Sequence, residues 1–309
     1  MNIALIITTV IGLSLFEIVS SIDNAVINAE VLSTMSPKAK RWFVVWGFLF
    51  AVFIVRGLLP WGIVWATVPN IGPVQALIAP WGSNPGIQEA IAHAAPVLLL
   101  GGGIFLIFLF FHWFFLEPKM IGLKFEKFFQ TKKTRFFWIM AVVLASIISI
   151  ALEKGQILVY GALSGALLFF ITNSLKENAE KAEKNIITTE HPLSDFSKIL
   201  YLEIIDAMFS IDGVLGAFAF TLSVPLIFIG NGLGAFVLRK LTLGNIDRIK
   251  KYAYLKNGAM YSIFALGSIM IIDAFGIKVP EIVSPLITLI IIGYFFWKSR
   301  NVTSPQPFE

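Results

Sequence analysis

Apolar runs recur along the whole chain, divided by short stretches rich in lysine, arginine and proline. They predict membrane-spanning helices at 3–32, 43–66, 94–116, 136–152, 155–173, 198–222, 225–238, 258–273 and 282–297. A bilayer core about 30 Å thick needs roughly 20 apolar residues at 1.5 Å each, and the runs fall around that length. The fourth and fifth are parted only near Glu153 and Lys154. Residues 71–80 are apolar but too short to span, so they read as a re-entrant or interfacial piece. The expected fold is all-α, a polytopic membrane helical bundle of about nine spans.

The polar residues interrupt this pattern most sharply at two places. Glu17-Ile-Val-Ser-Ser-Ile-Asp23-Asn24 lies in the first run, and Asp206-Ala-Met-Phe-Ser-Ile-Asp212-Gly213 lies in the sixth. Both copies set two carboxylates six residues apart and end on Ser-Ile-Asp. An ionisable group at the centre of a spanning helix costs about 2.5–3.5 kcal/mol on insertion scales, so a matched pair of pairs points to function. The likeness continues beyond them. Asp23 lies 14 residues before Pro37 and Asp212 lies 13 before Pro225. In the following runs, Gly47 precedes Arg56 by nine residues, as Gly230 precedes Arg239. The first and sixth runs cross in opposite directions, which makes the copies inverted repeats, the plan of many secondary transporters. The expected division is residues 1–116 as the first repeat, 117–197 as connecting spans and charged cytoplasmic loops, and 198–309 as the second repeat.

Composition and charge agree with a membrane protein. Hydrophobic residues make up 57% and charged residues 14%, where a soluble domain carries about 25% charged. The N-terminal run is too long and too acidic for a cleavable signal peptide. The net charge of +5 comes from Lys and Arg clustered between the spans, whereas 67–93 has neither. That asymmetry predicts an outside N-terminus, a cytoplasmic C-terminus and a place in the cytoplasmic membrane. Trp61, Trp65 and Trp81 fit an outer aromatic belt. The basic loops meet lipid or cytoplasmic partner proteins, a homo-oligomer stays open, and nucleic acid is not expected. The mixed-charge stretch 175–197 reads as a solvated helix face, and Arg239 as a cytoplasmic-end residue reaching for the interface.

The chemistry on offer is oxygen chemistry. On an ideal helix six residues subtend about 240° net, so the two acids of each motif face different ways. Either the helix unwinds near Ser20-Ser21 and Phe209-Ser210, or it stays straight and each acid meets a different neighbour. Glu203, Asp206 and Ser210 share one face, and Glu17, Ser20 and Asn24 share another. The candidate ligand set is Glu17, Asp23, Asn24, Glu203, Asp206, Ser210 and Asp212, with Ser20, Ser21 and Asn231 as further polar candidates. Arg56, mid-span, is the candidate charge partner. Such ligands suit Mn²⁺, Ca²⁺ or Mg²⁺ as a transported substrate, and no permanently bound cofactor is expected. The chain has no cysteine, which rules out thiolate sites and disulfides. His93, His112 and His191 are scattered. Gly161-Ala-Leu-Ser-Gly165 and the Gly230/Gly232/Gly234 run read as packing surfaces. No Walker A pattern or nucleophile–base set is present, so no enzyme is expected.

At these residues the sequence resembles the TerC-like integral membrane proteins of the LysE-type exporter group. Glu17, Ser21, Asp23 and Asn24 match the first motif, roughly Glu followed by Leu-Ser-x-Asp-Asn. Glu203, Asp206, Phe209, Ser210 and Asp212 match the second. Gly213 stands where Ser is usual, and extra spans separate the repeats, which marks a divergent branch. The resemblance implies export of Mn²⁺ or a similar dication, and close carboxylates, which raise one another's pKa, offer proton coupling. Export of small organic solutes, and a non-transporting scaffold for a metal or tellurite stress complex, are the alternatives. Replacing Gly213 by Ser is expected to be tolerated.

Overall fold

The computed structural model describes residues 3–68, 71–78, 85–117, 122–129, 133–188, 194–250 and 252–300. The side chain of Asp23, and residues Trp81 and His191, lie outside the described residues. Every regular element among the described residues is a helix. In chain order these are α1 (Ile3–Ser20), α2 (Ile22–Ser33), α3 (Pro37–Thr67), α4 (Pro73–Ile78), α5 (Pro85–Leu116) and α6 (Lys124–Phe128). Then come α7 (Lys133–Lys154), α8 (Gln156–Thr188), α9 (Asp195–Ala217), α10 (Val224–Lys250), α11 (Leu255–Ala274) and α12 (Val283–Arg300).

Local chemistry sets several boundaries. Ser36 caps α3 by accepting from the Ala39 N–H at 3.3 Å, and Pro37 follows at the first turn, where its missing N–H costs nothing. Ser194 caps α9 in the same way through the Ser197 N–H at 3.2 Å. Gly155 has φ of +152°, a conformation that other residues adopt only with strain, and it parts α7 from α8. The short 71–80 stretch holds only the six-residue α4, whose Pro73 carbonyl accepts from the Trp61 indole at 2.7 Å.

Among the described residues six helices are long and apolar enough to cross a membrane: Ile3–Ser20, Pro37–Thr67, Glu89–Leu116, Arg135–Lys154, Gln156–Asn178 and Leu255–Ala274. The other runs expected to span, α9, α10 and α12, are helical but outside that set. In α9 the reason is its charge: Lys198, Glu203, Asp206 and Asp212 all lie within it. In α12 the last turn carries Lys298 and Arg300.

The main apolar core surrounds α5, with Leu100, Ile104, Phe105 and Leu106 wholly buried. Gly161 and Gly165 of α8 lie directly against the α5 backbone at Val97 and Gly101, with no room for a side chain. The GxxxG pattern is thus a packing surface, where close backbones gain dispersion contacts. Away from this core, α1 packs along α10, while α9 packs against α2 and α3. These crossings bring both acidic motifs to the middle of the bundle.

Candidate functional site

Glu17 lies near the end of α1, four residues before the helix is interrupted. Ser21 alone leaves helical geometry, at φ −97° and ψ 10°, and α2 resumes at Ile22. The backbone bonds from Ser21 N to Glu17 O (3.1 Å) and from Ala25 N to Ser21 O (3.0 Å) survive, so this is a kink. The Ser21 hydroxyl donates to Glu17 Oε1 at 3.1 Å. In the second copy α9 runs through Phe209-Ser210 without a break. Neither motif unwinds: the first helix only kinks at Ser21, and the second stays straight with each acid meeting a different neighbour.

Arg56 joins the copies. It sits in a π-helical stretch of α3, Ala51–Leu58, a wider winding often found at functional sites. Its Nε and Nη2 donate to Glu17 Oε1 at 2.9 and 2.7 Å, and its Nη1 reaches Asp206 Oδ2 at 3.3 Å. All three groups are buried. Asn24 donates from Nδ2 to Asp206 Oδ1 at 2.6 Å. Removing such charges from water costs several kcal/mol each, recovered only with close partners. Glu17 Oε2 has no hydrogen-bond partner among the described residues. It faces Gly213, where a Cβ would stand 2.7 Å away. The contacts are crossed: Asn24, closing the first motif, meets the acid that opens the second, and Gly213, closing the second, meets the acid that opens the first.

Asp212 points elsewhere, as the 240° offset requires. It accepts from Lys176 Nζ at 2.5 Å, and this ammonium also lies 4.9 Å from the centre of the Phe209 ring. Lys176 is 20 residues after Gln156, about 30 Å along α8, so it sits where the span meets the interface. The sequence reading missed it by ending the fifth span at 173. The available signal was that no glycine or proline separates Ala166 from His191.

Arg239 also departs from expectation. It turns inward, donating to the Phe43 carbonyl at 2.8 Å with its guanidinium 4.2 Å from the Phe43 ring centre. Glu203, one turn before Asp206, rests against the bare backbone of Gly47, and Arg239 Nη2 approaches the same spot. Neither Glu203 oxygen has a hydrogen-bond partner among the described residues. The Ser210 hydroxyl is buried and likewise unpartnered there. Ser20 turns back to the Glu17 carbonyl at 3.4 Å, outside the cluster. Asn231 is buried and lies 3.5 Å from the Gly213 carbonyl.

The structure thus gathers Glu17, Ser21, Asn24, Arg56 and Asp206, and holds Asp212 with Lys176. Among the described residues no group of three or more His, Cys, Asp or Glu side chains is assembled that could hold a metal ion. Arg56 stands between Glu17 and Asp206, and Asp212 is paired separately with Lys176.

The chain belongs to a family described as protein of unknown function (DUF475), whose model matches residues 22–304. No curated protein and no solved structure matches it.

Proposed function

We propose that the chain is a secondary transporter that exports a hard divalent cation, Mn²⁺ first, across the cytoplasmic membrane. The observation that carries this reading is the meeting of Glu17 and Asp206, far apart in the chain, on the buried Arg56. In this reading Arg56 and Lys176 are built-in counter-ions that stand in for the substrate between transport steps. The cation displaces them and takes oxygens from Glu17, Asp23, Asn24, Asp206, Ser210 and Asp212.

The crossed contacts support nine spans arranged as an inverted repeat. Ser14 of α1 donates to the Gly230 carbonyl of α10 at 2.9 Å, and the matching residue of α9, Glu203, lies against Gly47 of α3. Each motif helix therefore rests on the second helix of the other half, as a two-fold axis in the membrane plane requires. The likeness to TerC-like proteins supports the choice of Mn²⁺.

The test is radioactive Mn²⁺ flux into inverted vesicles, with and without a pH gradient. Asp23→Asn and Asp212→Asn are expected to abolish it while leaving membrane insertion intact. Wild-type flux in both variants would make the acids structural and favour the scaffold. A second reading, export of a small organic solute, gains from Arg56, Arg239 and Lys176, which offer a carboxylate group three inward-turned cationic partners. Amino-acid flux without Mn²⁺ flux would establish it.

A further inference from the structure

The short helix α6, which joins α5 to α7, has its polarity inside out. Its acid, Glu126, is wholly buried, while Phe125, Phe128 and Phe129 are exposed, Phe128 to 82%. We infer that this exposed face is a binding surface for anionic phospholipid, with phosphatidylglycerol as its probe. The surface stands apart from the cluster at Arg56 and does not rest on the transporter reading.

Three observations carry the assignment. The first is charge. Residues 118–135 hold Lys119, Lys124, Lys127, Lys132, Lys133 and Arg135, and Glu126 is the single acid among them. That acid is satisfied from within the bundle. Asn257 Nδ2 donates to both of its oxygens at 2.9 Å, the Tyr261 hydroxyl donates to Oε1 at 2.9 Å, and the Leu123 N–H donates to Oε2 at 2.9 Å. Glu126 therefore does not neutralise the basic residues around it, and Lys124 and Arg135 are both exposed. A surface of this sign fits an anion.

The second is the aromatic face. Phe125, Phe128 and Phe129 are three and four residues apart, on one side of the helical turn. Phe125 and Phe129 pack on Phe114 of α5, with ring centres 6.2 and 6.0 Å apart, and Phe128 is left the most open of the three. Phenyl rings beside lysines seat a helix at the boundary between headgroups and acyl chains. The third is place. α5 and α7 each contain a stretch long and apolar enough to cross a membrane, and α6 lies between the end of one and the start of the other. Phe137 and Trp138, in the first turns of α7, are exposed as well, Trp138 to 69%. That continuity with an interfacial aromatic belt favours lipid over a protein partner.

Lipid bound here has a path into the bundle. Asn257 and Tyr261 belong to α11, whose Gly267 lies against the Gly103 carbonyl of α5. Holding α6 in place therefore steadies the α5–α11 pair through Glu126.

The experiment follows thermal unfolding of the purified full-length protein in detergent as dioleoyl-phosphatidylglycerol or dioleoyl-phosphatidylcholine is added. A saturable rise in Tm with phosphatidylglycerol is expected, and a much weaker one with phosphatidylcholine. Lys124→Gln and Arg135→Gln should each raise the half-effective phosphatidylglycerol concentration about fivefold, the weight of one cation near an anionic surface, and Lys124→Arg should leave it unchanged. Phe128→Ser should raise it about tenfold by removing apolar area that the lipid covers. Equal responses to the two lipids overturn the site, as does a Lys124→Gln/Arg135→Gln double variant that responds like wild type. Glycerol phosphate that raises Tm as well as phosphatidylglycerol does would assign the surface to a soluble anion, and the lipid assignment falls. A Tm that ignores both lipids leaves the face to a protein partner and overturns the proposal. In Glu126→Gln, native mass spectrometry should still find phosphatidylglycerol bound while the Tm response shrinks; a full response in that variant overturns the path through Glu126.

Discussion

The two copies of the acidic motif end on the same Ser-Ile-Asp, yet each is held differently. In the first copy the helix kinks at Ser21, whose hydroxyl bonds Glu17, and Glu17 takes two donors from Arg56. In the second copy the helix is unbroken, the matching Ser210 has no hydrogen-bond partner among the described residues, and Asp206 takes one longer bond from Arg56. The closing residues differ as well: Asn24 donates to Asp206, whereas Gly213 offers Glu17 only space. The spacing of the acids is common to both motifs. The residues that neutralise them lie outside the motif, and they fix one copy firmly while leaving the other with spare oxygens. On the transporter reading proposed above, the second copy is the better placed to exchange protein partners for substrate.

The largest effect should come from removing the cation that the copies share. Arg56→Met leaves two buried carboxylates without the cation they share, a loss of about 3–5 kcal/mol. Arg239→Met, at the matching position of the repeat, removes a bond to a carbonyl and a ring contact, worth about 1–2 kcal/mol. Denaturant unfolding of the two variants in detergent measures the difference. Equal losses would mean that the two arginines do equivalent work and that the asymmetry between the copies is unimportant.

Next in size is the pair on the far face of α9. Asp212→Asn should cost about 1.5–3 kcal/mol through its charged bond to Lys176. Lys176→Met in the same background should add little further, because the partner is already gone. Additive losses in this double-mutant cycle would show that Lys176 and Asp212 do not act as a pair.

These partners explain what was and was not legible in the sequence. The carboxylates stood out because a charge inside an apolar run has few benign explanations, and Arg56 stood out for the same reason. The 3.6-residue period also foretold that Asp206 and Asp212 would face different neighbours. Lys176 and Arg239 were obscured because a basic residue at the end of a span normally turns toward water. Their inward direction is decided by tertiary partners, Asp212 on α9 and the Phe43 carbonyl on α3, which local pattern does not encode. The kink at Ser21 was not legible from Ser-Ile-Asp either, since Ser210 carries the same three residues inside an unbroken helix.

Gly213 offers a finer comparison with Asn24. A methyl group at 213 meets Glu17 Oε2 at 2.7 Å, so Gly213→Ala should cost about 1 kcal/mol, the low end for overpacking because the contact is the tip of a side chain. The sequence alone suggested that serine would be tolerated there. The structure adds a condition: the carboxylate must move by a few tenths of an ångström, and the hydroxyl then donates to the unpartnered oxygen. Gly213→Ser should therefore be more stable than Gly213→Ala. If alanine proves equal to or better than serine, Glu17 Oε2 is not seeking a donor.

The smallest effect separates the two serines. Ser21→Ala removes the bond to Glu17 Oε1 and should cost about 0.5–1.5 kcal/mol, partly offset because Arg56 keeps that oxygen satisfied. Ser210→Ala removes a buried hydroxyl with no partner among the described residues, so stability should stay level or rise slightly. Transport should reverse the order. If Ser210 supplies an oxygen to the cation, its alanine variant should raise the Mn²⁺ concentration for half-maximal flux more than Ser21→Ala does, because Ser21 acts only by orienting Glu17. Unfolding and flux measured on the same two variants give independent readouts. A Ser210→Ala protein that loses stability yet transports with unchanged Mn²⁺ dependence would assign that hydroxyl to the fold and remove it from the site.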